Sequence, residues 1–151
     1  MRRLVVPVLC CSVVALAGCG GGGDGPSTSG SDEDQIRAVA EDFFAAYDAK
    51  DWDRACDLLS PKAKKQIAQA AVFVGADPGD CPKTLEKAVA ASRQSKSTLA
   101  LKTVRITGDT AIAPDGSIED GKPTDLSFER VDGRWYAGPD PEERTGSDET
   151  P

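Results

Sequence analysis

The fold is decided by two stretches of sequence, IRAVAEDFFAAYDAKDWDRACDLLSPKAKKQI at residues 36–67 and LSFERVDGRWYAG at residues 126–138. In the first stretch, apolar side chains recur at the spacing of an amphipathic helix: Ile36, Val39, Ala40, Phe43, Ala46 and Tyr47. In the second stretch, Leu126 and Phe128 alternate with polar residues, and Asp132-Gly133 is a strong signal for a tight hairpin turn. Helices followed by antiparallel strands predict an α+β fold.

Capping signals divide the first half of the chain into four helices. Acidic residues at 32–34 suit the positive end of a helix, and Asp32 with Gln35 approximates a capping box. Three further helices are predicted to begin at Asp51, at Ser60-Pro61 and at Pro82. The last two are separated by a break at residues 75–80, which contain two glycines and a proline.

The second half is predicted to form short strands separated by turns. Residues 98–107 are rich in β-branched side chains and partly alternate in polarity. Gly108-Asp109 then predicts a turn into a short strand at residues 110–113, and Pro114-Asp115-Gly116 predicts a second turn. Residues 124–131 and 134–137 form the two arms of the closing hairpin. The number of strands within residues 108–123 is left open.

Residues 1–18 are predicted to be a cleaved export signal. Two arginines precede an apolar stretch at residues 4–16, which is shorter than the roughly 20 residues needed to cross a bilayer. Leu16, Ala17, Gly18 and Cys19 then resemble the lipobox of bacterial lipoproteins at every position. This resemblance implies cleavage before Cys19 and lipid attachment to its thiol, which would hold the protein at the extracytoplasmic face of the cell membrane.

Composition divides the remainder into three segments. Residues 19–31 contain the lipidated cysteine and a run of Gly and Ser without apolar side chains, which is typical of a flexible tether. Residues 32–138 carry the helix and strand patterns and form the predicted domain. Residues 139–151 are acidic and lack large apolar residues, so we expect a disordered tail.

Two cysteines remain in the exported domain, Cys56 and Cys81. In an oxidising compartment, such a pair is expected to form a disulfide. A metal site would need more ligands than two thiols, and redox chemistry would favour a C-x-x-C spacing.

Charge and the absence of histidine restrict the possible functions. The formal net charge is −7, and loss of residues 1–18 removes two arginines and no carboxylate, which gives (18 − 2) − 25 = −9. Such a surface repels nucleic-acid phosphates and anionic lipid headgroups. Without histidine, the chain cannot assemble a Ser-His-Asp or Cys-His mechanism, and it lacks the commonest zinc ligand. We therefore expect no metal and no cofactor.

The stretch at residues 36–67 resembles the opening of nuclear transport factor 2-like lipoproteins of high-GC Gram-positive bacteria, and residues 126–138 resemble the end of the same fold. The resemblance implies helices closing over a curved antiparallel sheet to form a cone, with room for a cavity between them. A cysteine pair recurs in lipoproteins of this type, which suits Cys56 and Cys81.

Folds of this kind serve enzymes and non-enzymes alike, so three functional hypotheses follow. The first is a non-enzymatic interaction or accessory domain that meets a protein partner at the cell surface. The second is a pocket for a small apolar ligand or lipid, lined by Phe43, Tyr47, Trp52 and Trp135, although these rings also suit a packed core. The third, suggested by resemblance alone, is a ketosteroid-isomerase-like enzyme that would need a carboxylate base and a tyrosine. Tyr47, Asp48 and Tyr136 are available, but Tyr47 and Asp48 are helix neighbours that do not face the same way.

Overall fold

The computed structural model of the protein describes residue 26, residues 28–92 and residues 97–141. Within these ranges the chain forms four helices followed by five strands. They are α1 (Asp32–Ala49), α2 (Trp52–Asp57), α3 (Pro61–Val74), α4 (Cys81–Ala91), β1 (Ser97–Leu99), β2 (Arg105–Thr107), β3 (Thr110–Glu119), β4 (Lys122–Val131) and β5 (Arg134–Ala137). The predicted signal peptide and the lipobox with Cys19 lie outside the described residues, as do most of the predicted tether and tail.

Each helix begins at a side-chain oxygen that accepts a backbone N–H of the first turn: Ser31, Asp51, Ser60 and Asp80. The capping box of α1 is formed by Ser31 and Asp34, whose side chains bond each other's backbone N–H at 3.2 and 3.0 Å. The box predicted at Asp32 and Gln35 is therefore wrong by one residue. Asp32 is instead the first residue of α1, and its carboxylate bonds to side chains of β4 and β5.

The five strands form one antiparallel sheet in the order β1-β3-β4-β5. β1 and β2 both pair with the edge of β3 that faces away from β4: β1 with residues 117–119 and β2 with residues 110–112. The β4–β5 hairpin turns at Asp132-Gly133, as predicted. The α+β prediction is confirmed, and the sheet is strongly curled.

β3 runs through Pro114-Asp115-Gly116, so the turn predicted there is wrong. Ala113 pairs with Leu126 and Ser117 with Thr124, which leaves three residues of β3 opposite Asp125 alone. Asp115 adopts a left-handed backbone with φ of 51°, and its N–H donates to Asp125 Oδ1 at 3.0 Å. The segment is a bulge within a continuous strand, because the partner strand continues past it.

The prediction of one strand over residues 98–107 is also wrong, because this segment contributes to two strands, β1 and β2. Ala100 N donates to Gly116 O at 2.8 Å, beside the bulge. The chain then leaves the ladder until β2 begins, and Leu101 and Val104 of this connection pack against the core instead. The bulge bends β3, so one straight strand cannot follow it.

Two apolar clusters hold the layers together. One joins α1 to the inner face of the sheet through Ile36, Val39, Phe128 and Trp135. The other joins the helices and contains Ala46, Ala55, Cys56, Leu59 and Leu85. Half-buried Ala137 packs against both clusters.

The disulfide predicted between Cys56 and Cys81 is present. It joins the buried face of α2 to the first residue of α4, with the Cα atoms 6.2 Å apart. The bond therefore ties together the two shortest helices, which have the least helical hydrogen bonding of their own.

The edge of β5 is covered by the connection between α2 and α3. Ser60 N donates to Ala137 O and Ala137 N donates to Leu58 O, both at 2.8 Å. Beyond β5, Asp140 N donates to Gln66 Oε1 at 3.1 Å, so the first described residues of segment 139–151 lie against α3. None of the helices within the described ranges is long and apolar enough to cross a membrane.

Candidate functional site

A cavity of about 240 Å³ lies between the C-terminal half of α1 and the end of the sheet where β3 turns into β4. Its apolar lining comes from three elements: Ala40, Phe43, Phe44 and Tyr47 of α1, Leu126 and Phe128 of β4, and Ala137 of β5. Leu59 contributes from the connection that covers β5. The cavity is thus the unfilled end of the interface that the core fills farther along α1.

The aromatic side chains of α1 form one wall of the cavity. The ring centroids of Phe43 and Phe44 are 6.2 Å apart in an edge-to-face arrangement, and those of Phe43 and Tyr47 are 6.3 Å apart. Phe43 and Tyr47 are separated by one helical turn, so their side chains lie on one face of α1. The three rings present a continuous apolar surface that packing leaves half-exposed.

Hydroxyl groups from the strands line the opposite wall. Ser117 is buried and donates to Thr124 O at 3.4 Å, while Ser127 donates to Pro139 O. Both hydroxyls are therefore bonded to the protein, yet their oxygens keep acceptor capacity. Gly138 lets the chain pass close to this wall, since a Cβ there would lie 2.6 Å from Ser127 Oγ.

Carboxylates stand around the cavity, and none of the residues that line it within the described ranges is a lysine or an arginine. Glu119 ends β3, Asp125 faces the bulge, and Asp140 follows β5. Burial raises the pKa of the Tyr47 phenol above its usual value, and the negative charge of Glu119 raises it further. This coupling places the Glu119 carboxylate within electrostatic reach of the aromatic wall.

The four aromatic residues that were candidates for a pocket lining fall into two pairs with different positions. Phe43 and Tyr47 line the cavity, whereas Trp52 and Trp135 do not. Trp52 packs edge-on against Tyr47, with ring centroids 5.5 Å apart, and lies against the helical cluster. Trp135 is 0% exposed in the core, where its Nε1 donates to Asp32 Oδ1 at 3.1 Å. Both tryptophans therefore fill space between packed elements, as expected if these rings belong to the core.

Sequence reasoning missed Phe44 and Glu119. Phe44 directly follows Phe43, and the helical stripe assigned only one of the two to the inner face. In the structure both side chains line the cavity. Glu119 falls in the segment whose strand number the sequence left open, so its position at the end of a long β3 had no local signal.

The residues considered for isomerase chemistry do not converge. Tyr47 lines the cavity, but Asp48 is exposed and is not part of the lining. Tyr136 neighbours Trp135, and adjacent strand residues point to opposite faces of a sheet. Since Trp135 is on the inner face, Tyr136 is on the outer face, opposite Glu129 in the ladder.

No cluster of three or more metal-ligating side chains occurs in the part of the chain that the structure describes. Comparison of the chain with protein-family models, with curated proteins and with solved structures gives no match.

Proposed function

We propose that this protein is a lipid-anchored extracytoplasmic lipoprotein whose domain binds a small apolar molecule without acting as an enzyme. The observation that carries the binding proposal is the cavity between α1 and the sheet, with its wall of Phe43, Phe44 and Tyr47. A ligand there would remove half-exposed aromatic and aliphatic surface from water, which is the main source of affinity in such sites.

The volume of the cavity sets the size of the ligand. An apolar protein cavity of about 150 Å³ accommodates benzene. At about 240 Å³, this cavity has room for a single ring with a short side chain. The bonded hydroxyls of Ser117 and Ser127 supply acceptors that would orient a polar end of such a molecule.

The proposed fold is the nuclear transport factor 2-like cone. Its support is the order of elements, with four helices before a curled antiparallel sheet in the described chain, and the open cavity between α1 and that sheet. The proposed anchor rests on the sequence of residues 1–19, with an arginine pair, a short apolar stretch and the lipobox-like Leu16 to Cys19.

The cavity can be tested by filling it. Thr124 is half-buried on the wall of the cavity, so Thr124→Phe should occupy the space with a side chain that strands tolerate. The matched control is Thr98→Phe, because Thr98 is exposed on β1 and does not line the cavity. Titration with phenethyl alcohol, followed by NMR shifts, should show saturable binding to the native protein and to Thr98→Phe, and loss of binding in Thr124→Phe. Equal behaviour of the two variants would refute the site.

The anchor can be tested by growing cells with labelled palmitate. The native protein should incorporate label, and Cys19→Ala should abolish it and release or misprocess the protein. A Cys10→Ala, Cys11→Ala double variant is the control, since these cysteines lie within the apolar stretch and should be removed with it. Label that persists in Cys19→Ala would overturn the anchor proposal.

A second candidate function, an interaction domain with a protein partner at the cell surface, is favoured by a different observation. Val72 and Phe73 at the end of α3 are 72% and 90% exposed. A large aromatic ring left in water beside a second apolar side chain is characteristic of contact surfaces. A photo-cross-linking residue at position 73 should give an adduct of one defined mass in intact cells, whereas the same residue at exposed position 65 should not. Identical patterns at both positions would count against it.

A further inference from the structure

We infer that the ligand of the cavity is a small cationic amphiphile, with its apolar body between α1 and the sheet and an ammonium group at the mouth beside Glu119. This inference rests on the binding function proposed above and adds the charge of the ligand to it. It is carried by the joint placement of an apolar cavity, an aromatic wall and the carboxylates of Glu119 and Asp125.

Glu119 is the carboxylate best placed to receive a cation. It ends β3 at the mouth, where it is exposed, and its charge acts on the phenol of Tyr47. Lys122 is its partner in the strand register, but in the described part of the chain no ammonium or guanidinium lies within 4.0 Å of the Glu119 carboxylate. Within the described ranges, the charge of Glu119 is therefore not neutralised by a salt bridge.

The aromatic wall strengthens the preference for a cation. An ammonium group is attracted to the face of a Phe or Tyr ring within about 6 Å, and the attraction grows as the cation loses water. Phe43, Phe44 and Tyr47 line the cavity together with Glu119, whose charge acts on the Tyr47 phenol. A cation that enters the cavity would therefore lie near both a carboxylate and aromatic rings.

The same arrangement opposes anionic ligands. Asp125 also lines the cavity, and its Oδ1 is fixed by the N–H of Asp115 at 3.0 Å, so the bulge holds this charge in place. A fatty-acid carboxylate at the mouth would approach two like charges without a lysine or arginine of the lining to offset them. The overall acidity of the chain adds to the repulsion at long range.

The experiment compares three probes of one shape and different charge: phenethylamine, phenethyl alcohol and phenylacetate, each titrated against the full domain by NMR shifts at neutral pH. We expect phenethylamine to bind most tightly and phenylacetate most weakly. In Glu119→Gln, the affinity for phenethylamine should fall about two- to fivefold, as for loss of one partly exposed ion pair, with phenethyl alcohol unchanged.

The control is Glu41→Gln, which removes the same charge from an exposed position of α1 that does not line this cavity. It should leave the preference for the amine intact. If no probe binds the native protein, the proposed binding function itself fails. If all three bind equally, the cavity binds ligands but the inferred charge is wrong. If Glu41→Gln weakens the amine as much as Glu119→Gln, only the net charge matters, and the assignment to Glu119 is overturned.

Discussion

At the scale of single residues, Asp32 connects α1 to two strands of the sheet. Its carboxylate accepts from Trp135 Nε1 at 3.1 Å and from Arg130 Nη1 at 3.0 Å. The Arg130 guanidinium also lies 5.1 Å from the centre of the Trp135 ring and bonds to Asp109 at 2.9 Å. One carboxylate in the first turn of α1 thus satisfies a buried indole and aligns a cation over it, which fixes the helix to the closing hairpin.

Replacing Asp32 should therefore destabilise the protein more than a typical surface change. Asp32→Ala leaves the buried Trp135 N–H without its acceptor, and we expect the free energy of unfolding to fall by about 1–3 kcal/mol. Asp32→Asn keeps an acceptor oxygen and should cost less. Urea denaturation of both variants measures the difference. A change below about 0.5 kcal/mol in Asp32→Ala, as for an ordinary surface site, would contradict the role of this contact.

At the scale of elements, short helices and irregular strands depend on connections beyond their own hydrogen bonds. α2 has 6 residues, too few to be stable as a helix alone. It is held by the N-cap Asp51, by the disulfide to α4 and by the backbone pairing of the following residues with β5. In the sheet, the bulge lets β3 bend while it pairs with β4 on both sides of the irregularity.

The disulfide should contribute substantially to stability. It closes a loop of 25 residues, for which the chain-entropy model gives about 3.5 kcal/mol. We expect the double variant Cys56→Ala, Cys81→Ala to lose about 2–4 kcal/mol of unfolding free energy in denaturant titrations. The native protein measured with reductant should show the same loss. Equal stability with and without reductant would show that the loop is already restricted in the unfolded chain.

The bulge should be sensitive to one added methyl group. A Cβ at Gly116 would lie 2.9 Å from Ala113 O and 3.1 Å from Leu126 Cδ1, both closer than ordinary contact. Gly116→Ala should therefore destabilise the protein by about 1–3 kcal/mol, as overpacked sites do. The control is Gly79→Ala at an exposed turn without a positive φ, where a Cβ would approach only the side chain of Asp77, at 3.2 Å, so we expect a smaller loss of stability. Thermal unfolding monitored by circular dichroism compares them, and a harmless Gly116→Ala would mean that the bulge can relax.

At the scale of the whole molecule, contacts between distant parts of the chain close the domain. The beginning of α1 meets β4 and β5, and the connection after α2 pairs with β5. The closing hairpin therefore contacts two segments that lie about 80 and 100 residues earlier in the chain. The cavity is a product of the same closure, because α1 approaches the sheet closely at its N-terminal half and leaves space near Tyr47.

The free energy of unfolding should depend on pH in the alkaline range, because Tyr47 is partly buried in the closed domain. Burial raises the pKa of its phenol in the folded state, so above the ordinary value of 10.0 the unfolded chain ionises while the folded chain keeps the proton. The contribution is fully present below that value and is lost as the pH rises through the raised pKa. Tyr47→Phe should remove this part of the pH dependence, and Glu119→Gln should reduce it. Urea denaturation between about pH 8 and 11 measures the effect, and identical slopes for native protein and Tyr47→Phe would exclude it.

The sequence by itself determined the class of fold, the helix starts at Asp51, Ser60 and Asp80 to within a residue or two, the closing hairpin and the disulfide partners. These features depend on short-range chemistry: a cap needs an oxygen next to free N–H groups, and a hairpin needs residues that tolerate a positive φ. The described residues contain two cysteines, which within that part of the chain can pair only with each other. The lipobox prediction has the same local character.

Only the tertiary structure decided the continuous β3, the capping box of α1 and the contents of the cavity. The motif Pro-Asp-Gly permits either a turn or a bulge, and pairing with β4 selects the bulge. Ser31 and Asp34 form the capping box, while Asp32 bonds to Trp135, a residue 103 positions away. Whether an aromatic ring fills the core or lines a cavity depends on what lies opposite. Trp135 meets α1 closely, while Tyr47 and Phe44 face a gap. Such choices are set by partners distant in sequence, which no local pattern encodes.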